Sequence, residues 1–309
     1  MARPLTCPAC DGARHQSLGC CPAAAWGQSP GVVALNAAAG PLFRCRDCDL
    51  VFRDPMPEDA ALTRAYQSIP VGSWSYAEPA HWGRSRDALN RLAPNREVLD
   101  VGCFRGDFLA YLGSGFTRCG IEPNPAAATV ARQRGIEIIG ASADDELRAH
   151  HGRFGAIVLM DVIEHLARPR EVLRKLCRLL APRGLLILLS GDACTWPVRI
   201  SLPFYWYMKF PIHLVQLGDR HVRWLERDLG LERCAWQTVA HAPGPLHERL
   251  RTGGRCIASA LWQRSLKHHA WTRWLRHCPG FRGVSTYTEP AFWPILRDHF
   301  WCVLRPVSS

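Results

Sequence analysis

Lysine is nearly missing from this chain of 309 residues. Of 38 basic side chains only Lys175, Lys209 and Lys267 are lysine, and the rest are arginine. The codon usage of a GC-rich genome explains that bias as readily as an acidic partner does. Long apolar runs are missing too. Stretches such as Leu185–Leu189 are far too short to cross a bilayer, which excludes a membrane-spanning helix. The first residues, Met-Ala-Arg-Pro followed by a cysteine pair, lack the apolar core of a signal peptide, so the expected location is cytoplasmic. Internal repeats are not apparent. With 48% hydrophobic and 21% charged residues the chain falls among folded globular proteins rather than disordered tails. The net charge of +11 leaves two acidic partners open, a phosphorylated small molecule or a nucleic acid.

Cysteine, in contrast, is plentiful, with fourteen residues. In a chain expected to stay in a reducing compartment, paired cysteines suggest metal rather than disulfides. Cys7-Pro-Ala-Cys10 and Cys45-Arg-Asp-Cys48 form two C-x-x-C knuckles with 34 residues between them. Each can place two thiolates on one ion, and together they make a tetrahedral Zn²⁺ site with a structural role. The redox alternative needs a single C-x-x-C at a helix N-terminus, which two pairs fit poorly. Adjacent Cys20 and Cys21 are not expected to be ligands.

The spacing divides the chain into three parts. Residues 1–57 are cysteine-rich and close on Pro55-Met-Pro57. Residues 58–240 alternate between strand and helix patterns. Glu58–Gln67 and Arg84–Leu92 read as helices, Glu97–Val101 as a strand, and Asp107–Leu112 as the start of a helix. Strands at Cys119–Glu122, Ile136–Ile139, Ala156–Val162 and Leu185–Leu189 then interleave with helices at Pro125–Arg134 and Pro169–Leu180. Asp219–Leu229 reads as a helix stopped by Gly230, followed by a late strand from Leu231 to Val239. Such alternation implies an α/β fold, a mostly parallel sheet with helices on both faces. Residues 241–309 are basic, contain tryptophan and show no assignable pattern, so they are expected to be a C-terminal extension.

The run Val98-Leu-Asp-Val-Gly-Cys-Phe-Arg-Gly-Asp-Phe-Leu109 carries the chemistry. Gly102 lets the backbone turn sharply where a buried strand ends, and Gly106 lets it approach a ligand at the start of the next helix. Asp100 can bind an ammonium group, directly or through water. Cys103 sits in the loop as a small buried residue rather than a nucleophile. Glu122 ends the second strand twenty residues after Gly102, the distance at which a Rossmann-like site places a carboxylate on ribose hydroxyls. A nicotinamide fingerprint needs a third glycine at position 109, where this chain has leucine.

These residues resemble class I S-adenosylmethionine-dependent methyltransferases, whose first motif looks like Asp-x-Gly-x-Gly-x-Gly. The resemblance covers about residues 84–240. It includes Asp161-Val-Ile-Glu-His-Leu166, similar to the family's fourth motif, and Leu180-Ala-Pro-Arg-Gly-Leu-Leu-Ile, similar to its turn into the fifth strand. Phe104 departs from the pattern by standing where the middle glycine is usual. The resemblance implies a Rossmann-like seven-stranded sheet and S-adenosyl-L-methionine as cofactor. It also implies contacts from Asp144 toward adenine, unless Asp144-Asp-Glu146 is simply a solvated loop. Asp161 is placed near the meeting point of methyl donor and acceptor. Cys45-Arg-Asp-Cys-Asp-Leu-Val-Phe-Arg-Asp-Pro-Met-Pro57 looks like the zinc-ribbon head of bacterial methyltransferases, including those acting on nucleotide-linked sugars. Leu202–His213 resembles the linker that such proteins place before a helix closing on the pocket.

Three roles stay open for Glu164-His165: packing of the sheet edge, proton acceptance by His165 with Glu164 orienting it, or a divalent cation held with Asp161. Tyr205, Tyr207 and His213 are acceptor-side candidates in an aromatic segment that a lid or dimer contact would also explain. The favoured function is methyl transfer to a small molecule, such as a nucleotide-linked sugar or glycan precursor. The alternatives are an RNA methyltransferase and a non-catalytic cofactor-binding scaffold.

Overall fold

In a computed structural model, the described residues are 4–21, 24–26, 35–37, 40–73, 79–143, 147–209, 212–240, 244–264, 269, 274, 277–278 and 295–307. The elements run β1 (His15–Cys21), β2 (Ala24–Trp26), β3 (Leu35–Ala37), β4 (Gly40–Cys45), β5 (Val51–Arg53), α1 (Asp59–Gln67), α2 (Ala80–Leu92), β6 (Glu97–Val101), α3 (Asp107–Leu112), β7 (Thr117–Ile121), α4 (Pro125–Gln133), β8 (Glu137–Gly140), β9 (Phe154–Met160), α5 (Pro169–Cys177) and β10 (Leu180–Gly191). They continue with α6 (Trp196–Ser201), β11 (Val215–Gln216), α7 (Asp219–Leu229), β12 (Leu231–Ala240), α8 (Leu246–Arg264) and β13 (Arg297–Pro306).

Seven strands form one sheet in the order β12-β13-β10-β9-β6-β7-β8. Strands β10, β9, β6, β7 and β8 are parallel to their neighbours, and β13 runs antiparallel to both β10 and β12. The sheet is covered on both faces, which is why β9 is buried along almost its whole length and reads as an unbroken apolar run. Alternate residues feed opposite cores. Leu99, Ile157, Leu186 and Leu188 pack with Val172, Leu173 and Leu176 of α5. Val98, Val158, Leu185 and Ile187 pack on the other face with Leu89 of α2 and Phe108 of α3. Successive strands leave β6 in opposite directions, β7 and β8 to one side and β9 and β10 to the other. A crevice therefore opens beyond the carboxyl ends of β6 and β9.

Local signals explain most boundaries. Asn124 caps α4 by accepting from the N–H groups of Ala126 and Ala127, with Pro125 next in the chain. Gly230 ends α7 in the left-handed conformation at φ 63°. The Pro182-Arg-Gly184 turn differs from expectation. It lies within β10, as a break in the ladder between Leu180 and Leu185, and the preceding helix stops at Cys177.

The segment after residue 240 also differs from expectation. Strand β13, from Arg297 to Pro306, lies between β10 and β12, so the sheet is completed by residues expected to form an extension. A lone strand far from its neighbours in sequence leaves no alternating pattern to read.

The N-terminal part makes a second sheet in the order β1-β4-β5-β11. Its last strand comes from residues 215–216, and Leu214 accepts a bond from the Arg53 N–H at 3.1 Å. Cys7, Cys45, Cys48, Leu50 and Phe52 share one continuous core with Leu214, Leu217 and Val222. Among the described residues no helix is long and apolar enough to cross a membrane.

Candidate methyl-transfer site

The crevice holds a cavity of about 470 Å³, lined by Gly102, Phe104, Glu122, Ala143, Asp161 and His165, with α1 closing it through Leu62 and Tyr66. Gly102 and Gly106 both have positive φ, 72° and 73°. A side chain at Gly102 would come within 2.8 Å of Val162, and one at Gly106 would run into Ile136. Phe104 takes the same left-handed conformation, φ 48°, where an L-residue is disfavoured. Its ring packs with Ile69 and Ala127, contacts that hold it there.

Two acids lie under this loop. Glu122 accepts the Phe104 N–H at 2.7 Å on one oxygen and the Asn124 N–H at 2.8 Å on the other. Burial still raises its pKa, against those bonds. Asp100 is buried, and that burial, with the charge of Glu122 beside it, pushes its carboxyl up to about 8. Two desolvated carboxylates next to an open cavity call for a ligand with cationic and hydroxyl groups. S-adenosylmethionine carries both an ammonium and a ribose diol, and the close backbone approach at Gly102 leaves it room. The residues therefore fit that cofactor.

The far end of the cavity is built from side chains of several segments. Asp161 follows β9 directly, with φ 52°. Glu164 is fully buried, its pKa raised by burial although His165 opposes the shift. Its carboxylate accepts from Tyr207 Oη on one oxygen and from Ser190 Oγ at 2.9 Å on the other. His165 Nδ1 lies 3.0 Å from the Ile212 carbonyl. A carbonyl only accepts, so Nδ1 carries the hydrogen, and in the neutral ring Nε2 keeps its lone pair. That Nε2 lies 3.9 Å from Glu164. His213 packs against both His165 and Tyr207, with ring centroids 4.8 and 4.0 Å away, and its Nδ1 donates to the Tyr207 carbonyl at 2.6 Å. Burial, then the nearby His165, holds His213 well below the usual pKa. Ligand atoms of Glu164, His165 and His213 all lie within 4.8 Å of one another.

The four knuckle cysteines also converge. Their sulfurs lie within 4.8 Å of one another, Cys7 being 3.5 Å from Cys48 and Cys10 3.5 Å from Cys45. Both knuckles use the same turn, with Asp11 and Asp49 after the second cysteine at φ 57° and 63°.

Residues 74–234, just over half of the chain, match a family described as a methyltransferase domain. The chain belongs to that methyltransferase family. Its strand order, cavity and acids are those of a class I S-adenosylmethionine-dependent methyltransferase, and its cysteine cluster fits a zinc-ribbon-like module. Among curated proteins, the methyltransferase is 38% identical over 99 residues to a ubiquinone biosynthesis O-methyltransferase of Caulobacter sp. (strain K31), covering 29% of this chain and 38% of that one. It is 34% identical over 96 residues to the protein of the same name from Thiobacillus denitrificans, covering 29% and 41%. The chain thus spans about two fifths of the length of these relatives. A solved SAM-dependent methyltransferase from Thermotoga maritima, described as a possible histamine N-methyltransferase, superposes with TM-score 0.45 at 15% identity over 73% of this chain and 88% of that one. That likeness is too distant to carry function.

The methyltransferase brings some expected residues together and separates others. Gly102, Glu122, Asp161 and His165 line the cavity, while Asp100, Gly106, Glu164 and His213 are not among its lining residues. Cys103 turns away: its sulfur lies where a side chain at Gly120 would stand, and it packs in the core of the opposite face. Tyr205 is buried and bonds Asp298 at 2.8 Å, apart from the acids of the cavity, so of the two tyrosines it is Tyr207 that joins Glu164. Asp144 lies outside the described residues. Three contributors went unforeseen. Tyr66 stacks edge-on against His165 at 5.7 Å, and Ser190 orients Glu164. Asn124 ties Glu122 to the α1 closure, donating from its side chain to the carbonyls of Tyr66 and Ile69. The Asn-Pro pair at 124–125, a helix N-cap signal, was the clue available for Asn124.

Proposed function

We propose that this methyltransferase moves the methyl group of S-adenosylmethionine to a hydroxyl of a small, uncharged or weakly charged acceptor, with His165 as proton acceptor. The observation that carries this reading is the His165 ring, fixed through Nδ1 on the Ile212 carbonyl, which leaves Nε2 as the acceptor atom of a residue lining the cavity. When bound, S-adenosylmethionine supplies an electrophilic methyl on a sulfonium. Asp100 would balance the ammonium, directly or through water, and Glu122 would accept from the ribose hydroxyls. His165 Nε2 takes the hydroxyl proton, and buried Glu164 stabilises the imidazolium that forms, itself held by Tyr207 and Ser190. Leu62 and Tyr66 of α1 exclude water. The curated relatives are named as O-methyltransferases, which supports transfer to oxygen.

A nucleotide-linked sugar would need cations for its phosphates. Among the described residues lining the cavity, the one arginine is Arg168, and it pairs with Glu171 at 2.9 Å. This favours an acceptor without phosphate. The grouping of Glu164, His165 and His213 supports a second reading, a divalent cation that lowers the pKa of the acceptor hydroxyl. At the N-terminus the Cys7, Cys10, Cys45 and Cys48 thiolates would hold one structural Zn²⁺, measurable as one zinc per chain by metal analysis.

The test supplies labelled S-adenosylmethionine with phenolic acceptors, nucleotide sugars and unmodified RNA in parallel, with and without chelator. Label in a phenol that persists after chelation supports the first reading. Loss on chelation restored by magnesium supports the second. Label in RNA alone overturns both.

A further inference from the structure

Helix α8 carries a surface that the methyl-transfer site does not use. Leu246, Leu250, Ile257 and Leu261 are 70%, 69%, 48% and 52% exposed. At about 100° per residue they fall within an arc of about 60°, a stripe along about four turns of helix. Trp196 of α6, 51% exposed, continues it: its ring lies 3.6 Å from where a side chain at Gly253 would stand, between Leu250 and Ile257. The helix buries the adjoining face, through Gly253, Cys256 and Ser259, toward α6. Four large aliphatic side chains in one exposed line are a binding surface rather than scattered surface hydrophobes.

The charge on this helix is mostly positive. Helix α8 carries Arg249, Arg251, Arg255 and Arg264 against the one acid Glu248, together with Trp262. Arg251 and Arg255 are exposed on the side of α8 away from the leucines. An apolar stripe backed by arginines, with tryptophan at its border, is the composition of a helix lying in the headgroup layer of a bilayer.

We propose that α8 docks the protein on an anionic phospholipid surface. The leucine stripe and Trp196 enter the acyl boundary, and Arg251 and Arg255 face the headgroup phosphates. A second copy of this chain fits less well. A two-fold contact through the same stripe would cover the leucines but leave Arg251 and Arg255, on the other side of the helix, outside the contact. RNA would engage the arginines but would leave Leu246 and Leu250 in water. The docked helix is tied to the acceptor end of the cavity, since Cys256 Sγ lies 3.2 Å from Ser201 Oγ and Arg264 donates to the Leu202 carbonyl at 2.8 Å, just before the segment that carries Tyr207.

The experiment floats the full-length protein with vesicles of phosphatidylglycerol and phosphatidylcholine, and with phosphatidylcholine alone. Binding to the anionic vesicles that weakens with salt is expected. The double variant Leu250→Asp/Ile257→Asp should lower the bound fraction about tenfold or more, and Arg251→Glu/Arg255→Glu should remove the preference for anionic lipid. All four positions are exposed, and circular dichroism with a melting curve checks that each variant stays folded. Three results would overturn the proposal: vesicle binding that the folded Leu250→Asp/Ile257→Asp variant retains; no vesicle binding by the wild type, with a dimer in light scattering that this variant dissociates; or no vesicle binding, with affinity for an RNA oligomer that Arg251→Glu/Arg255→Glu abolishes.

Discussion

The two ends of the cavity are built differently. The cofactor end comes from one continuous stretch, Asp100 to Asn124, and much of its work is done by backbone: Gly102, Gly106 and the N–H groups of Phe104 and Asn124. The acceptor end joins Asp161, Glu164 and His165 to Ser190, Tyr207 and His213, and the bonds between them are mainly side-chain bonds. An end made of backbone is specified by where glycine and the two acids stand. An end made of side chains from separate segments can be altered one residue at a time, the arrangement expected where acceptors diverge on a common cofactor site.

If the two ends act separately, substitutions should split binding from turnover. His165→Ala should lower kcat by about 10²- to 10⁴-fold, the usual loss of a general base, with calorimetric cofactor affinity changed only a few-fold. Equal losses in both would break the comparison. Glu122→Ala removes the acceptor of two backbone bonds and of the ribose diol, and should weaken S-adenosylmethionine about 10²-fold in calorimetry. The pH response comes from Asp100. Its carboxyl, raised from 3.8 to about 8 in the free protein, must ionise to face an ammonium. Cofactor affinity should therefore rise up to about tenfold per pH unit until about pH 8, with proton release seen as a calorimetric enthalpy that changes with buffer. For the free fold the sign is opposite. The stability tied to this proton is full below 3.8, declines as pH rises and is gone above about 8. Phe104→Gly should have the smallest effect. It relieves about 1–2 kcal/mol of left-handed strain but gives up a ring that is 8% exposed. A net loss of about 1–3 kcal/mol in a melting experiment is expected, with turnover nearly intact. A gain in stability would mean that the ring contributes little packing.

Much of the fold could be read from local pattern. Helix α7 was expected from Asp219 to Leu229 and has those bounds, because a helical period and a terminal glycine are both local. Strand β6 likewise has its expected bounds. Helix α2 begins four residues earlier than Arg84, at Ala80, where His81-Trp-Gly83 weakens the period. What the sequence left open concerns direction and partnership. Cys103 is a small buried residue as expected, and its side chain turns to Gly120. Tyr205 and Tyr207 are equivalent in composition, but two residues of chain place one on Asp298 and the other on Glu164.

By itself the sequence determined the parts whose physics is local: the glycine turn after β6, the spacing of Glu122, the two cysteine knuckles and the alternation that makes a parallel sheet. Tertiary structure alone decided what depends on contacts across long loops. Strand β13 finds its place between β10 and β12 only once both exist, and β11 closes the cysteine-rich sheet from more than 160 residues away. The hydrogen bonds on Glu164 need Ser190 and Tyr207 brought beside a carboxylate that they follow by 26 and 43 residues. Such pairings follow from how the chain closes on itself, and no window of neighbouring residues contains that information.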